Sequence, residues 1–236
     1  MGTTEVTLAL PAYNESENIS SVLDESIAAL EHLGKTWEVI VIDNFSSDNT
    51  TEIAKTYAER DPRVRVIRHE KNRLYSGSCA TAIREANGEF VAIMDSDGQA
   101  LAADLPLFIE RLDKGANLVF GWRKKRNDPF SRLAISAVFN WLGKLKLKFP
   151  FHDLNCGYRV FDRTFLDVAE INHEVNMANP ELYVRAYNAN LKLDEVAIQH
   201  LPRAGGGSSH DFLRSWKLFL IVNRYFSALR KEMKTR

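Results

Sequence analysis

The chain reads as an α/β protein built on a mostly parallel, doubly wound sheet with helices on both faces, and three observations predict it. Strand-like and helix-like segments alternate through the first half of the 236 residues, the pattern of a parallel sheet threaded by crossover helices. Runs such as Trp37-Glu-Val-Ile-Val-Ile42 and Val91-Ala-Ile-Met94 are nearly continuously apolar, as strands covered on both faces must be. Each of these strands ends abruptly in polar residues, and in open α/β sheets the carboxyl ends of the strands are where ligands sit.

Thr7 to Ala12 is expected to form the first strand. Asn14-Glu-Ser-Glu17 then starts a helix with carboxylates near its positive end. Ile19, Val22, Leu23, Ile27, Leu30 and Leu33 recur at helical spacing, and Gly34 closes the helix. After the strand at Trp37 to Ile42, Ser47 or Asp48 is expected to cap a helix through about Glu59. A strand follows at Val64 to Ile67, a helix at Ser76 to Ala86, and a strand at Val91 to Met94. Asp104 is expected to cap a helix to about Lys114, followed by a strand at Leu118 to Gly121. Beyond it lie the basic loop Trp122-Arg-Lys-Lys-Arg126, an apolar helix from Phe130 to Leu147 with Lys144, Lys146 and Lys148 at its end, and a helix from about Pro180 to Asn188. A strand from about Lys192 to His200 and an aromatic, basic helix from Asp211 to Lys234 complete the chain. The expected organisation is a catalytic domain over 1–210, its nucleotide-sugar half about 1–121 and its acceptor half about 122–210, followed by an amphipathic helix over 211–236.

The 31 basic and 31 acidic residues balance, so no global charge favours nucleic acid and any anion must be met by local basic clusters. Cys79 and Cys156 lack CxxC spacing and read as packing residues of a reducing compartment. The start MGTTEVTLAL has no long apolar stretch, and the apolar run Leu218 to Val222 is far below the roughly 20 residues that span a bilayer. The expectation is a cytoplasmic protein with no transmembrane segment.

Three polar clusters fall at strand ends: Pro11-Ala-Tyr-Asn-Glu15, Asp43-Asn-Phe-Ser46 and Asp95-Ser-Asp97. The first occupies the place of a glycine-rich dinucleotide fingerprint or P-loop, which disfavours both. The third sets two carboxylates one residue apart after an apolar strand. At about 6 Å and an effective dielectric of about 20 their repulsion is about 3 kcal/mol, tolerable on a wet loop. Two readings follow: an Asx-type turn with Gly98 supplying a permissive dihedral, or a divalent cation whose charge makes the pair favourable.

Six pieces in order bear on that choice: PAYNE at 11–15, IDNFSSDNT at 42–50, ANGEFVAIMDSDGQ at 86–99, GANLVFGWR at 115–123, HDLNCGYRVF at 152–161 and EVAIQHLPRAGGGSS at 195–209. Together they resemble the family 2 inverting glycosyltransferases of the GT-A fold, above all the dolichyl-phosphate mannose synthase and polyprenyl-phosphate glycosyltransferase branch. The resemblance spans roughly residues 7 to 210. It implies that Pro11, Tyr13, Glu15, Asp43 and Asn44 line a nucleotide pocket for a GDP- or UDP-hexose, with Ser96 among the donor contacts. Asp95, Asp97 and Gln99 match the DxDxQ pattern that holds Mg2+ or Mn2+ and the diphosphate, with Gly98 allowing a close backbone approach between ligands. Arg123 and Arg203 match phosphate-meeting arginines, Arg132 stands as a third candidate, and Asp153, Asn155, Gly157 and Arg159 match a signature beside the acceptor. Asn44 and Phe45 stand where the family has Asp and a small residue, and Ser209 where it has Lys.

Two acceptor classes stay open. A polyprenyl phosphate brings its own charge and needs anion-holding residues. A hydroxyl acceptor needs a base, for which Glu181 or Asp153 is available, although Glu181 behind Pro180 also suits the helix dipole. A nucleotide-sugar-binding subunit without turnover is a further alternative. His152 and His200 read as structural. The Phe130 helix and the terminal helix are expected to lie on an anionic membrane surface, peripheral at the cytoplasmic face, with a membrane-embedded partner subunit as a possible anchor.

Overall fold

A computed structural model describes residues 4–124, 130–172, 176–202 and 215–233, the side chains at 130–132 and 215–218 excepted. Its described strands form one sheet in the order β3-β2-β1-β4-β6-β5-β7. β1 (Val6–Ala12), β2 (Trp37–Asp43), β3 (Val64–Arg68) and β4 (Phe90–Ile93) run parallel, alternating with α1 (Ile19–His32), α2 (Thr50–Arg60) and α3 (Leu74–Glu85). β1 and β2 are buried along their whole length, which explains their unbroken apolar character. α4 (Leu105–Asp113) precedes β5 (Leu118–Arg123), and α5 (Phe130–Leu147) follows it. Then come β6 (Arg159–Asp162), the short α6 (Arg163–Leu166), α7 (Asn179–Asn188), β7 (Leu193–Ile198) and α8 (Ser215–Glu232). Two buried apolar layers flank the sheet. One contains Leu8, Leu10, Leu23, Leu30, Val39 and Phe108, and the other contains Ile40, Ile42, Ile93, Phe120, Phe161 and Phe226.

The sequence pattern anticipates this frame with three corrections. β6 was hidden inside the polar signature at 152–161. It is only four residues long and pairs antiparallel with both β4 and β5, while β7 returns to a parallel pairing on β5. α3 begins at Leu74, two residues before Ser76, through a turn discussed below. Asp104 does not cap α4 with its side chain. A 3-10 turn over Ala102–Asp104 leads into the helix, and the Asp104 carboxylate instead accepts from Gln199 N at 3.0 Å.

The antiparallel strand positions the site. β4 ends at the rim, and Ile93 is in register with Arg159, the first residue of β6. An antiparallel neighbour starts where its partner stops. The loop at 152–158 is therefore delivered to the rim beside Asp95.

Candidate active site

Three strand-end loops meet at the rim and are laced together. Asn44 N donates to Ala12 O at 2.8 Å and Met94 N to Ala9 O at 3.0 Å, so the chains leaving β2 and β4 stay in register with β1. Ser96 Oγ donates to Pro11 O at 2.7 Å. Asn14, in the left-handed region at φ 56°, exchanges bonds with the β2 loop: Asn14 N donates to Ser46 Oγ and Ser47 N to Asn14 Oδ1. Glu15 N donates to Thr50 Oγ1, and Asn18 Nδ2 donates to the Glu15 carboxylate. Asp43 is fully buried and accepts from Ser46 N and Thr51 Oγ1, with Arg68 Nε at 3.5 Å. Tyr13 and Phe45, 49% and 48% exposed, stand out on these adjoining loops.

Asn44 has a further task. Its Oδ1 accepts from Arg73 N at 2.8 Å and faces His69 Nδ1 at 3.0 Å, and its Nδ2 donates to Asn72 Oδ1. Asn72 Oδ1 also accepts from Leu74 N, and Asn176 Oδ1 accepts from Tyr75 N. These side chains build the turn into α3, in which Leu74 is held at φ 59°, a conformation costing a bulky residue about 1–3 kcal/mol.

In the Asp95–Gln99 loop both sequence readings are realised, each by a different carboxylate. Asp97 Oδ1 accepts from Gln99 N at 3.1 Å, an Asx-type turn. Asp95 turns into the interior instead. Its Oδ1 is buried with no hydrogen-bond partner among the described residues, which costs about 1–3 kcal/mol or more for a charged group. The Asp95 carboxylate rests on Gly157, where a Cβ would come 1.8 Å from Asp95 Oδ2. Gly157 therefore serves the carboxylate as a seat. Gly98 is a correction: a Cβ there would meet open space, and its value is the positive φ of 74° rather than close approach. Gln99 Nε2 donates to Leu201 O at 3.2 Å and lies 3.5 Å from His200 Nε2, while Leu201 N donates to Gln99 O. Gln99 thereby ties the loop to the chain leaving β7.

Arg123 and Asp153 form a two-pronged buried pair: Nε donates to Oδ2 at 2.7 Å, and Nη2 donates to Oδ1 at 3.0 Å and to Asn155 O at 3.1 Å. Burial alone would lower the Arg123 pKa, but the hydrogen bonds and charge of Asp153 outweigh it and the net shift is upward. Arg159 departs from the acceptor-side expectation. It is fully buried, with Nη1 donating to Asn179 Oδ1 at 2.7 Å and Nη2 to Cys79 Sγ at 2.7 Å, so it braces the loop from beneath. Glu181 is also fully buried, accepting from Asn172 N at 2.5 Å with Arg185 Nη2 at 3.4 Å. A carboxylate sealed in this way does not meet a hydroxyl acceptor. Arg203, Ser209 and the side chain of Arg132 lie outside the described residues.

Does the donor set fit a divalent cation? Asp95 offers an unsatisfied carboxylate oxygen, with Asp97 two residues beyond it and the Gln99 amide at the loop's end. Hard oxygen donors of this kind suit Mg2+ or Mn2+. Among the described residues no group of three His, Cys, Asp or Glu forms a cage. One or two carboxylates completed by substrate phosphates is the usual Mg2+ arrangement, so the residues fit a cation shared with a diphosphate. Sequence reasoning missed two neighbours of this centre. His200 carries no spacing signal and becomes visible only through Gln99. Tyr75, partly buried and touching Gly157 O at 3.4 Å, had as its only hint a lone aromatic before the small residues Ser76-Gly-Ser-Cys79.

Comparison with known proteins supplies independent findings. An undecaprenyl-phosphate 4-deoxy-4-formamido-L-arabinose transferase of Salmonella paratyphi A is 27% identical over 214 residues, covering 89% of this chain and 64% of that protein. The chain thus spans somewhat under two thirds of the length of the curated relatives it matches. Glucosyl-3-phosphoglycerate synthase from Mycobacterium tuberculosis, solved with phosphoglyceric acid, superposes with a TM-score of 0.71 at 18% identity, covering 98% of this chain and 80% of that one. A mannosyltransferase from Pyrobaculum calidifontis, solved with GDP-Man and Mn2+, gives 0.62 at 20% identity, covering 96% and 73%. The fold is therefore GT-A. Residues 7–168, from the first strand to beyond β6, match the description "Glycosyl transferase family 2", and the chain belongs to that family.

Proposed function

We propose that this chain is a metal-dependent inverting glycosyltransferase that moves a hexose, mannose or glucose, from a GDP- or UDP-sugar to a polyprenyl phosphate. The observation that carries the reading is the buried, partnerless Asp95 Oδ1 beside Asp97 and Gln99, at the rim where the β1 and β2 loops converge. A leaving nucleoside diphosphate gains negative charge as the glycosidic bond breaks. Bound Mg2+ or Mn2+ supplies Lewis-acid neutralisation of that charge. The chain's own part is to hold the donor in place. Asp95, Asp97 and Gln99 are the cation ligands, and Pro11, Tyr13, Glu15, Asp43, Asn44 and Ser96 form the nucleotide side, with the exposed Tyr13 and Phe45 rings offered to a base. Arg123 keeps Nε and Nη2 on Asp153 and Asn155, leaving Nη1 for a phosphate oxygen. Arg203 is assigned the second phosphate contact.

A phosphate acceptor is favoured over a hydroxyl because both candidate bases are committed. Asp153 is only 4% exposed, with both oxygens on Arg123, and Glu181 is sealed. A phosphate monoester, with its second pKa near 6, needs no such base. The Salmonella relative is named for an undecaprenyl phosphate acceptor, which supports the same class. The arabinose derivative in that name is a pentose, so a pentose donor is the second reading of the sugar. Among the described residues no helix is long and apolar enough to cross a membrane. A peripheral contact is supported by α5 and α8, which expose Val138, Trp141, Leu145, Phe219, Leu220 and Ile221 near Lys144, Lys148 and Arg224. A membrane-embedded partner subunit remains part of this proposal as a possible anchor.

Radiolabelled GDP- and UDP-sugars offered with polyprenyl phosphate test it. Label should enter an organic-soluble product released by mild acid, and label confined to water-soluble glycan overturns the acceptor assignment. Asp95→Ala and Asp97→Ala should each abolish transfer and metal-dependent nucleotide binding with the fold retained, and turnover surviving both overturns the metal assignment. A thermal-shift panel of GDP and UDP with Mn2+ reads the base, since a ligand at 100 times its dissociation constant stabilises by about 2.7 kcal/mol.

A further inference from the structure

Behind Asp95 lies a cluster that the proposed reaction does not use directly. Arg159 is completely buried, and among the described residues no carboxylate lies within ion-pair distance of it. Its hydrogen-bond partners are neutral: Asn179 Oδ1, Cys79 Sγ, Tyr75 OH at 3.2 Å and, at the limit, Gly157 O at 3.5 Å. Its Nε has none. A guanidinium withdrawn from water in this way is costly unless negative charge is near. The carboxylate beside this cluster is that of Asp95, which rests on Gly157.

Tyr75 is the connecting piece. Its ring lies against the guanidinium at 5.4 Å, and its hydroxyl accepts from Arg159 Nη1 and donates toward the carbonyl of Gly157, the residue on which the Asp95 carboxylate rests, at 3.4 Å. The turn that aims it inward is strained at Leu74 and held by Asn44 and Asn176. Leu74 is itself exposed, so its own burial does not explain the strain. Local strain persists where the surroundings over-determine it, and the neighbour it serves here is Tyr75.

We propose that Tyr75, backed by Arg159, is a positioning residue for Asp95. The phenol and the buried guanidinium hold Gly157 O, and Gly157 is the seat on which the carboxylate rests, which leaves Oδ1 directed at the cation. This rests on the metal reading given above and deepens it, because it assigns the support of the metal ligand to a residue that touches neither donor nor acceptor. Outer partners that orient a metal ligand change metal affinity or activity by about 10–100-fold when removed.

Tyr75→Phe is the test, since it keeps the ring on Arg159 and removes only the hydroxyl. Mn2+ is titrated into the full chain by electron paramagnetic resonance in the presence of GDP and, separately, UDP, alongside melting temperature and the kcat and KM of transfer. The expected result is a 10–100-fold weaker Mn2+ affinity with whichever nucleotide binds, a lower kcat partly restored by raised Mn2+, and a melting temperature within a few degrees of the parent. Unchanged Mn2+ affinity overturns the inference while leaving the glycosyltransferase reading intact, and so does a lowered melting temperature with unchanged affinity, the mark of a purely structural tyrosine. If the parent chain binds no Mn2+ with either nucleotide, the metal reading fails and takes this one with it.

Discussion

The two sides of β4 solve the same problem, burying ionised groups beside a binding rim, in opposite ways. On the parallel side the buried ions are carboxylates. Glu38 accepts from Thr7 Oγ1, Asn87 N and Arg65, and Asp43 from Ser46 N and Thr51 Oγ1. On the β6 side the ions drawn inward include two guanidiniums, Arg159 fully buried and Arg123 with 14% of its side chain exposed. A carboxylate needs donors, and backbone N–H groups and hydroxyls are plentiful where strands turn into helices. A guanidinium carries five donors and must collect acceptors, so it recruits Asp153, the carbonyls of Asn155 and Gly157, an amide and a thiol, and still leaves Arg159 Nε unmet. The parallel side is thus satisfied locally, whereas the β6 side is satisfied only by assembling distant segments.

If that contrast is right, removing a partner on the β6 side should cost more. Asp153→Ala strands Arg123 in a site where only Asn155 O remains. A loss of about 3–5 kcal/mol is expected, as for other broken buried pairs, read from denaturant midpoints at unchanged slope. Gly157→Ala comes next: its Cβ cannot coexist with Asp95 Oδ2, so about 1–3 kcal/mol of overpacking cost is expected, together with loss of Mn2+-dependent nucleotide binding. On the parallel side, Asn44→Ala removes the acceptor of Arg73 N and the partner of His69. About 1–2 kcal/mol is expected, and equal losses for Asn44→Ala and Asp153→Ala would dissolve the comparison.

The smallest effect is a pH dependence. Burial lowers the His69 pKa, helped by Arg73 and Arg84, so the unfolded chain binds more protons than the native one below the ordinary histidine value of 6.5. Stability should fall as pH drops through and below that value, and His69→Gln should flatten this limb. A second limb opens lower. Glu38 is pulled down by its hydrogen bonds from Thr7 and Asn87 and by Arg65, against the opposing effect of burial, so its contribution is present above 4.5 and is lost as pH falls through its lower native value. Thermal melts from pH 8 to pH 4 would separate the two.

What the sequence made legible follows the same division. β1, β2 and β4 are long or apolar enough to announce themselves, and their polar ends marked the rim. β6 could not be read: Arg159-Val-Phe-Asp162 is short, and strand direction is a matter of tertiary pairing. That one omission displaced the meaning of several residues. Gly157 and Arg159 were expected beside the acceptor because they match the family's signature, yet once β6 is antiparallel they fall behind and beneath Asp95. The DSD pair was legible as chemistry but not as geometry, since nothing in its spacing says that Asp97 makes the turn while Asp95 points inward.

The antiparallel insertion also bears on how the protein can be divided. A fragment ending near residue 121 would contain the β1, β2 and β4 loops, yet β4 would lose Val160 and Phe161 from its flank and present Val91, Ala92 and Ile93 as an open apolar edge, the kind of edge that recruits other chains. The apparent halves are therefore unsuited to independent life. Co-expressed as separate polypeptides, they should find one another through the β4–β6 ladder, and a split reporter cut within residues 125–129 would register folding of the site itself.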